Sequence, residues 1–225
     1  MMTPKTAKRI FLNKGIRCAH EALREILGNG NSRGIFSRII TERRGAEKKE
    51  LYVKGRGIED YKIGSANWGK KMEIDPLELA KAMLRRKSGI RILDVGAYDG
   101  TFLKEMKSNK EVGGKIKTTA LVLHETEALK KRRESGLVDR TITASVESWL
   151  PRERYDIVFS NYGGMLYSPY PKIALRKIAY CLEKKGIAVI LSMGLKSKEL
   201  AAELAHDKGF RVKISKNAMI IKRMK

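Results

Sequence analysis

The chain is poor in cysteine, histidine and acidic side chains, and it has no long hydrophobic run. Its 225 residues hold two cysteines, Cys18 and Cys181, far apart in sequence. Two such thiols make no disulfide framework, and a reducing, cytoplasmic setting fits them. There are three histidines and no Cys/His pair at zinc spacing, so no metal centre is expected. No apolar stretch is long enough to cross a bilayer, so no membrane partner is expected. No apolar segment follows Met1-Met2-Thr3-Pro4-Lys5, so no secretory signal is expected. A Walker loop and a cysteine triplet are missing too, so neither P-loop nor iron–sulfur chemistry is a starting hypothesis.

What is present in excess is positive charge. Lys+Arg number 48 against 25 Asp+Glu, a net charge of +23. Residues 1–75 carry 17 basic and 9 acidic side chains, and residues 76–225 carry 31 and 16. The excess thus follows length, and no separate basic arm stands out. Such a balance favours polyanionic partners, and RNA is the one expected here. Hydrophobic residues at 42% are enough for a folded α/β domain with a smaller appendage.

Periodicity organises the chain. Residues 5–27 space Ile10, Leu12, Ile16, Ala19, Leu23, Ile26 and Leu27 as an amphipathic helix, ended by Gly28-Asn29-Gly30-Asn31. Strands are read at 35–40 and 51–53, with a charged segment between them. Asp75-Pro76-Leu77-Glu78 opens a helix to Lys87, with Asp75 as cap, Pro76 at the first position and Glu78 completing a capping box. Strands and helices then alternate. Strands are expected at 90–95, 118–124, 140–144, 155–160 and 187–193, with helices at 100–109, 126–135, 171–184 and 197–208. Two last strands, 210–215 and 218–223, are close enough to form a hairpin. This order predicts an α/β fold: a mostly parallel seven-stranded sheet, helices on both faces, and a C-terminal antiparallel hairpin. Residues 1–75 form a small N-terminal extension.

Ile90-Arg91-Ile92-Leu93-Asp94-Val95-Gly96-Ala97-Tyr98-Asp99-Gly100-Thr101 reads as a buried strand, a tight glycine turn and a helix start. That geometry sets a helix N-terminus and backbone N–H groups beside any ligand over the strand end. The dinucleotide fingerprint Gly-x-Gly-x-x-Gly is not met, because Tyr98 interrupts it. The motif, with the strand order and final hairpin, resembles the class I SAM-dependent methyltransferases over residues 76–225. That family often has glycine where Tyr98 stands.

The resemblance implies S-adenosyl-L-methionine as cofactor and a site at the carboxyl ends of the first four strands. It implies that Asp94 accepts hydrogen bonds from the cofactor ammonium, while Gly96, Ala97, Tyr98 and Gly100 form the wrapping loop. Glu125, slightly late in register, would take both ribose hydroxyls, with His124 a neighbour. Ser145 would meet the adenine amino group and Val146 its face. Ser160 closes the fourth strand beside the cofactor. Asn161 and Tyr162 follow as acceptor-binding, catalytic residues; amino-methylating relatives carry Asn/Asp/Ser-Pro-Pro-Tyr/Phe here, and both prolines are missing. Trp149 and Cys181 have core spacing, so no thiolate is expected to serve carbon methylation.

The implied activity is methyl transfer to a nitrogen or oxygen of rRNA or tRNA. Lys8, Arg9, Lys14, Arg17, Arg38, Arg43 and Arg44 would dock phosphates, and Trp68 would act as a lid. Two alternatives stay open: a methyltransferase of small molecules or proteins, and a non-catalytic RNA-binding protein on the same scaffold.

Overall fold

A computed structural model describes residues 74–160, 168, 170–191, 197–215 and 217–224. The readings for residues 1–73, for Asn161 and Tyr162 and for the remainder of that loop to Tyr167 lie outside the described residues.

Helix α1 (Pro76–Leu84) starts as the sequence dictates. The Asp75 carboxylate accepts from the N–H groups of Leu77 (2.8 Å) and Glu78 (3.3 Å), with Pro76 at the first position. Glu78 does not close a capping box: its carboxylate meets Lys81 one turn on, at 3.0 Å. The elements that follow are β1 (Ile90–Val95), α2 (Thr101–Ser108), β2 (Ile116–Val122), α3 (Glu127–Glu134), β3 (Arg140–Thr143), β4 (Tyr155–Ser160), α4 (Pro171–Tyr180), β5 (Leu182–Leu191), α5 (Ser197–Ala205), β6 (Phe210–Ile214) and β7 (Ala218–Arg223).

The seven strands form one sheet in the order β3-β2-β1-β4-β5-β7-β6. Pairings from β3 to β5 are parallel; β7 runs antiparallel to both β5 and β6. The expected fold class is therefore the observed one. The alternation of side chains divides two cores. Ile92, Ala120, Phe159 and Val189 face Phe102, Leu103, Met106 and Leu129 of α2 and α3. Leu93, Val95, Val158 and Ile190 face Leu175 and Ile178 of α4 and Leu200 and Leu204 of α5. With both faces covered, the central strands β1 and β4 are buried almost from end to end.

Several boundaries differ from expectation; α5, for one, ends at Ala205 rather than 208. β2 begins at Ile116 and ends at Val122, two residues earlier than expected at each end. α1 stops at Leu84 rather than Lys87. The helix expected to reach 184 ends at Tyr180, and β5 begins at Leu182. The cause is a register shift: Leu182 pairs with Tyr155, but the regular ladder resumes only at Ile187, opposite Ile157. Lys185 takes a left-handed φ of 66° inside that irregularity. A Cβ at neighbouring Gly186 would lie 2.8 Å from the Glu183 carbonyl oxygen, so only glycine fits.

Candidate cofactor-binding site

The strand order reverses between β1 and its neighbours β2 and β4, and Asp94 stands at that switch point, where open α/β sheets bind ligands. Asp94 is 4% exposed and lies level with Ala120 and Phe159. Among the described residues no cation pairs with it. Burial, and secondly the nearby charge of Asp99, push its carboxyl up from 3.8 to about 7. A charge held in this way calls for a cationic partner.

The loop after β1 is built from left-handed turns. Gly96, Tyr98 and Gly100 have φ of 83°, 51° and 75°. Tyr98 thus takes the conformation that the glycine of related loops adopts freely, at a cost of about 1–2 kcal/mol for a residue with a Cβ. Gly96 N–H is already used, donating to Leu121 O at 2.8 Å, and Gly100 N–H donates to Ala97 O at 2.8 Å. Just ahead of α2, the Asp99 carboxylate accepts from Thr101 N–H (3.0 Å) and Thr101 Oγ1 (2.9 Å).

The loop is gripped from α3. Arg132 Nη1 lies 3.0 Å from Asp99 Oδ2 and also donates to the Asp99 carbonyl oxygen. A Cβ at Gly100 would approach Leu129 Cδ1 to 2.7 Å and Val138 Cγ2 to 3.3 Å. Sequence reasoning missed Arg132. It sits in the run Lys130-Lys131-Arg132-Arg133, which has the look of a solvated face, and nothing local marks its partner 33 residues away.

The other expected site residues fall around the same sheet end. Val95 is level with Ser160, and the Ala144 N–H donates to Val122 O at 2.9 Å, tying the end of β3 to that of β2. Glu125 is clamped: Arg133 donates from Nε to Oε1 at 2.9 Å and from Nη2 to Oε2 at 3.4 Å. The Arg133 hydrogen bonds, the largest cause, hold the Glu125 carboxyl below its ordinary value. Glu125 and Arg133 border a polar recess of about 520 Å³ with Asp139, Arg140, Thr141 and Thr143. That recess lies along edge strand β3 and is not bordered by Asp94 or Gly96.

Ser145 spends part of its hydrogen-bonding capacity in its own turn, accepting from Ser148 N–H at 3.2 Å and lying 2.9 Å from the Ser148 hydroxyl. Val146 is 5% exposed and packs in the second core with Trp149. The Ser160 hydroxyl is buried with no hydrogen-bond partner among the described residues. Cys181 is buried, and burial pushes its thiol up to about 12, which rules it out as a thiolate. Among the described residues no cluster of three His, Cys, Asp or Glu side chains could hold a metal, and no helix is long and apolar enough to cross a membrane.

No family model and no curated protein matches the chain. Solved structures do. A SAM-dependent methyltransferase from Clostridium acetobutylicum superposes with a TM-score of 0.54 at 12% identity, covering 75% of this chain and 95% of its own. A TehB-like SAM-dependent methyltransferase from Corynebacterium glutamicum gives 0.50 at 16% identity, over 66% and 86%. TrmN from Thermus thermophilus gives 0.45 at 24% identity over 66% of this chain, which spans only 49% of TrmN. Sheet order, final hairpin and superposition agree: the chain has the fold of the class I, Rossmann-like SAM-dependent methyltransferases.

Proposed function

We propose that the chain is a SAM-dependent methyltransferase acting on RNA, ribosomal or transfer, at a nitrogen or oxygen atom. The observation that carries the cofactor assignment is Asp94: a buried carboxylate that no cation among the described residues pairs with, at the switch point, beside a loop of three left-handed residues. Such a site suits a ligand with an ammonium group. The solved methyltransferases of this fold supply the analogy, one of them holding S-adenosylhomocysteine. The net charge of +23 carries the RNA assignment.

SAM, when bound, supplies a methyl group on a sulfonium, which needs an aligned nucleophile rather than a protein base of unusual strength. The chain's part is then to position. Asp94 takes the ammonium, Gly96, Ala97, Tyr98 and Gly100 shape the backbone around it, and Glu125 takes the ribose hydroxyls. Ser145 and Val146 border the adenine, and the Ser160 hydroxyl, unpartnered among the described residues, offers one more polar contact. Asn161, next in the chain after β4, holds the acceptor atom, and Tyr162 stacks on its ring. Residues 76–225 are the catalytic domain, and residues 1–75 are an RNA-docking extension working in the cytoplasm.

The test is methyl transfer from labelled SAM into fractionated cellular RNA and protein. Label is expected in RNA. The Asn161→Ala variant should lose transfer while S-adenosylhomocysteine affinity stays within about twofold, because it acts on the acceptor only. Label confined to protein or small molecules overturns the RNA assignment. Absence of heat and of thermal stabilisation with either cofactor form overturns the methyltransferase assignment.

A further inference from the structure

The β6–β7 hairpin has two unlike faces. Phe210, Val212, Met219 and Ile221 point into the core shared with α4 and α5. The opposite face, continuous with that of α2 and α3, carries Arg211, Lys213, Ile220 and Lys222. Arg211 and Lys213 are exposed, and Ile220 and Lys222 are half-buried. Arg211 stands directly opposite Lys222, and Lys213 directly opposite Ile220. Like charges facing one another across an antiparallel pair destabilise it. Among the described residues no carboxylate pairs with any of the three cations.

Edge protection does not account for this arrangement. Cations on β6 do guard an open edge. Lys222, however, lies on β7, between β5 and β6, where no edge needs guarding. Three cations on one sheet face that no carboxylate among the described residues offsets, one of them set against another, are what a polyanion would neutralise.

Register also fixes where the face lies. Asp94, Phe159, Val189, Ile220 and Lys213 form one row across β1, β4, β5, β7 and β6, all on the same side of the sheet. At about 4.8 Å per strand, Lys213 is roughly 19 Å from Asp94. That distance spans several nucleotides of RNA backbone.

We propose that this face of the β6–β7 hairpin, through Arg211, Lys213 and Lys222, docks the phosphate backbone of RNA several nucleotides from the methylated position. The proposal rests on the RNA reading above and deepens it. It makes the hairpin, the last structural unit of the fold, a register device: it sets how far the acceptor is from a held stretch of backbone.

The experiment uses the full chain, a fluorescein-labelled RNA hairpin, and anisotropy titrations over a range of salt. The variant Arg211→Gln/Lys213→Gln/Lys222→Gln is compared with a control of equal charge loss, Lys104→Gln/Lys110→Gln/Lys115→Gln. For the first, the slope of log affinity against log salt should become shallower by about 2–3, one increment per lost phosphate contact. The control should change it by less than about 1, and S-adenosylhomocysteine affinity should hold in both. A single variant guards against misfolding: Arg211→Glu places opposite charges across the pair, so its melting temperature should rise while RNA affinity falls. Equal losses in hairpin variant and control would overturn the surface, leaving general charge as the cause. So would an Arg211→Glu variant that melts lower than the parent chain. Loss of binding to anionic lipid vesicles with RNA binding unchanged would overturn it in favour of a membrane surface. Absence of RNA binding by the unmodified chain at low salt would remove the RNA reading and the surface together.

Discussion

Asp94 and Glu125 are the same chemical group in opposite surroundings, at neighbouring strand ends. Asp94 is buried, has no cation beside it among the described residues, and burial pushes its carboxyl up to about 7. Glu125 is a quarter exposed, held through both oxygens by Arg133, and its carboxyl lies below its ordinary value. The difference shows that burial and partnering, not residue type, decide what a carboxylate offers a ligand. Under the proposed function, Asp94 would gain its cation from the cofactor ammonium. Glu125 already has one and must share it.

The largest test of this contrast is Asp94→Asn, which keeps the shape and removes the charge. S-adenosylhomocysteine affinity should fall at least about tenfold, as expected for a lost charge-assisted hydrogen bond. The unliganded variant should melt higher at pH 8, because a desolvated charge has gone. In the parent chain, the favourable share of Asp94 in folding is full below about pH 4 and is lost as pH rises through about 7, since its folded value is raised from 3.8. Glu125 has the opposite sign: its folded value is lowered, so its share is present above its ordinary 4.5 and is lost as pH falls through the folded value. Cofactor binding should therefore strengthen roughly tenfold between pH 6 and pH 8 and take up the ionised Asp94, releasing a proton below pH 7. Calorimetry in buffers of different ionisation heat reads that proton directly. No proton release would separate the ligand from Asp94.

A middle-sized effect is expected at Arg132. Arg132→Met cuts the grip on Asp99 and should weaken S-adenosylhomocysteine binding by about three- to tenfold. Arg132→Lys should restore part of it, because one cation still reaches the Asp99 carboxylate. Equal affinity in all three proteins would show that the loop holds its shape unaided.

The smallest effect belongs to Glu125. Glu125→Gln loses a solvent-screened ion pair, so stability should change by only a few tenths of a kcal/mol. Cofactor affinity should drop about three- to fivefold through the lost acceptor for ribose hydroxyls. A deoxyribose analogue should bind the parent and the variant alike, which isolates the hydroxyls as the cause.

What was legible in the sequence followed from burial. β1 and β4 are buried almost from end to end because both faces are covered, and their bounds were readable residue by residue. The Asp75-Pro76 start was readable because capping is local. The end of α4 was not: Leu182 keeps helical spacing with Leu175 and Ile178, while its partner Tyr155 is distant in sequence. At the candidate site the glycine turn was visible, but Arg132, which grips it, and Arg133, which clamps Glu125, were not. Arg132 and Arg133 look alike in a basic run, and only the packing of α3 against the β1 loop separates their roles. The cationic hairpin face was hidden for the same reason. Composition counts charges, whereas register decides that Arg211 faces Lys222.

Arg132 and Arg133 are consecutive residues on one short helix, yet each serves a different carboxylate. α3 is also wedged against Gly100 with no room for a methyl group. The two halves of the cradle therefore share a single lever. A ligand that draws the β1 loop inward must carry α3 with it and so reposition Glu125. Double-mutant cycles between Asp99 and Glu125, which do not touch, should then show non-additive ligand affinities. The coupling energy would measure how stiffly this helix transmits force from one end of the cofactor to the other.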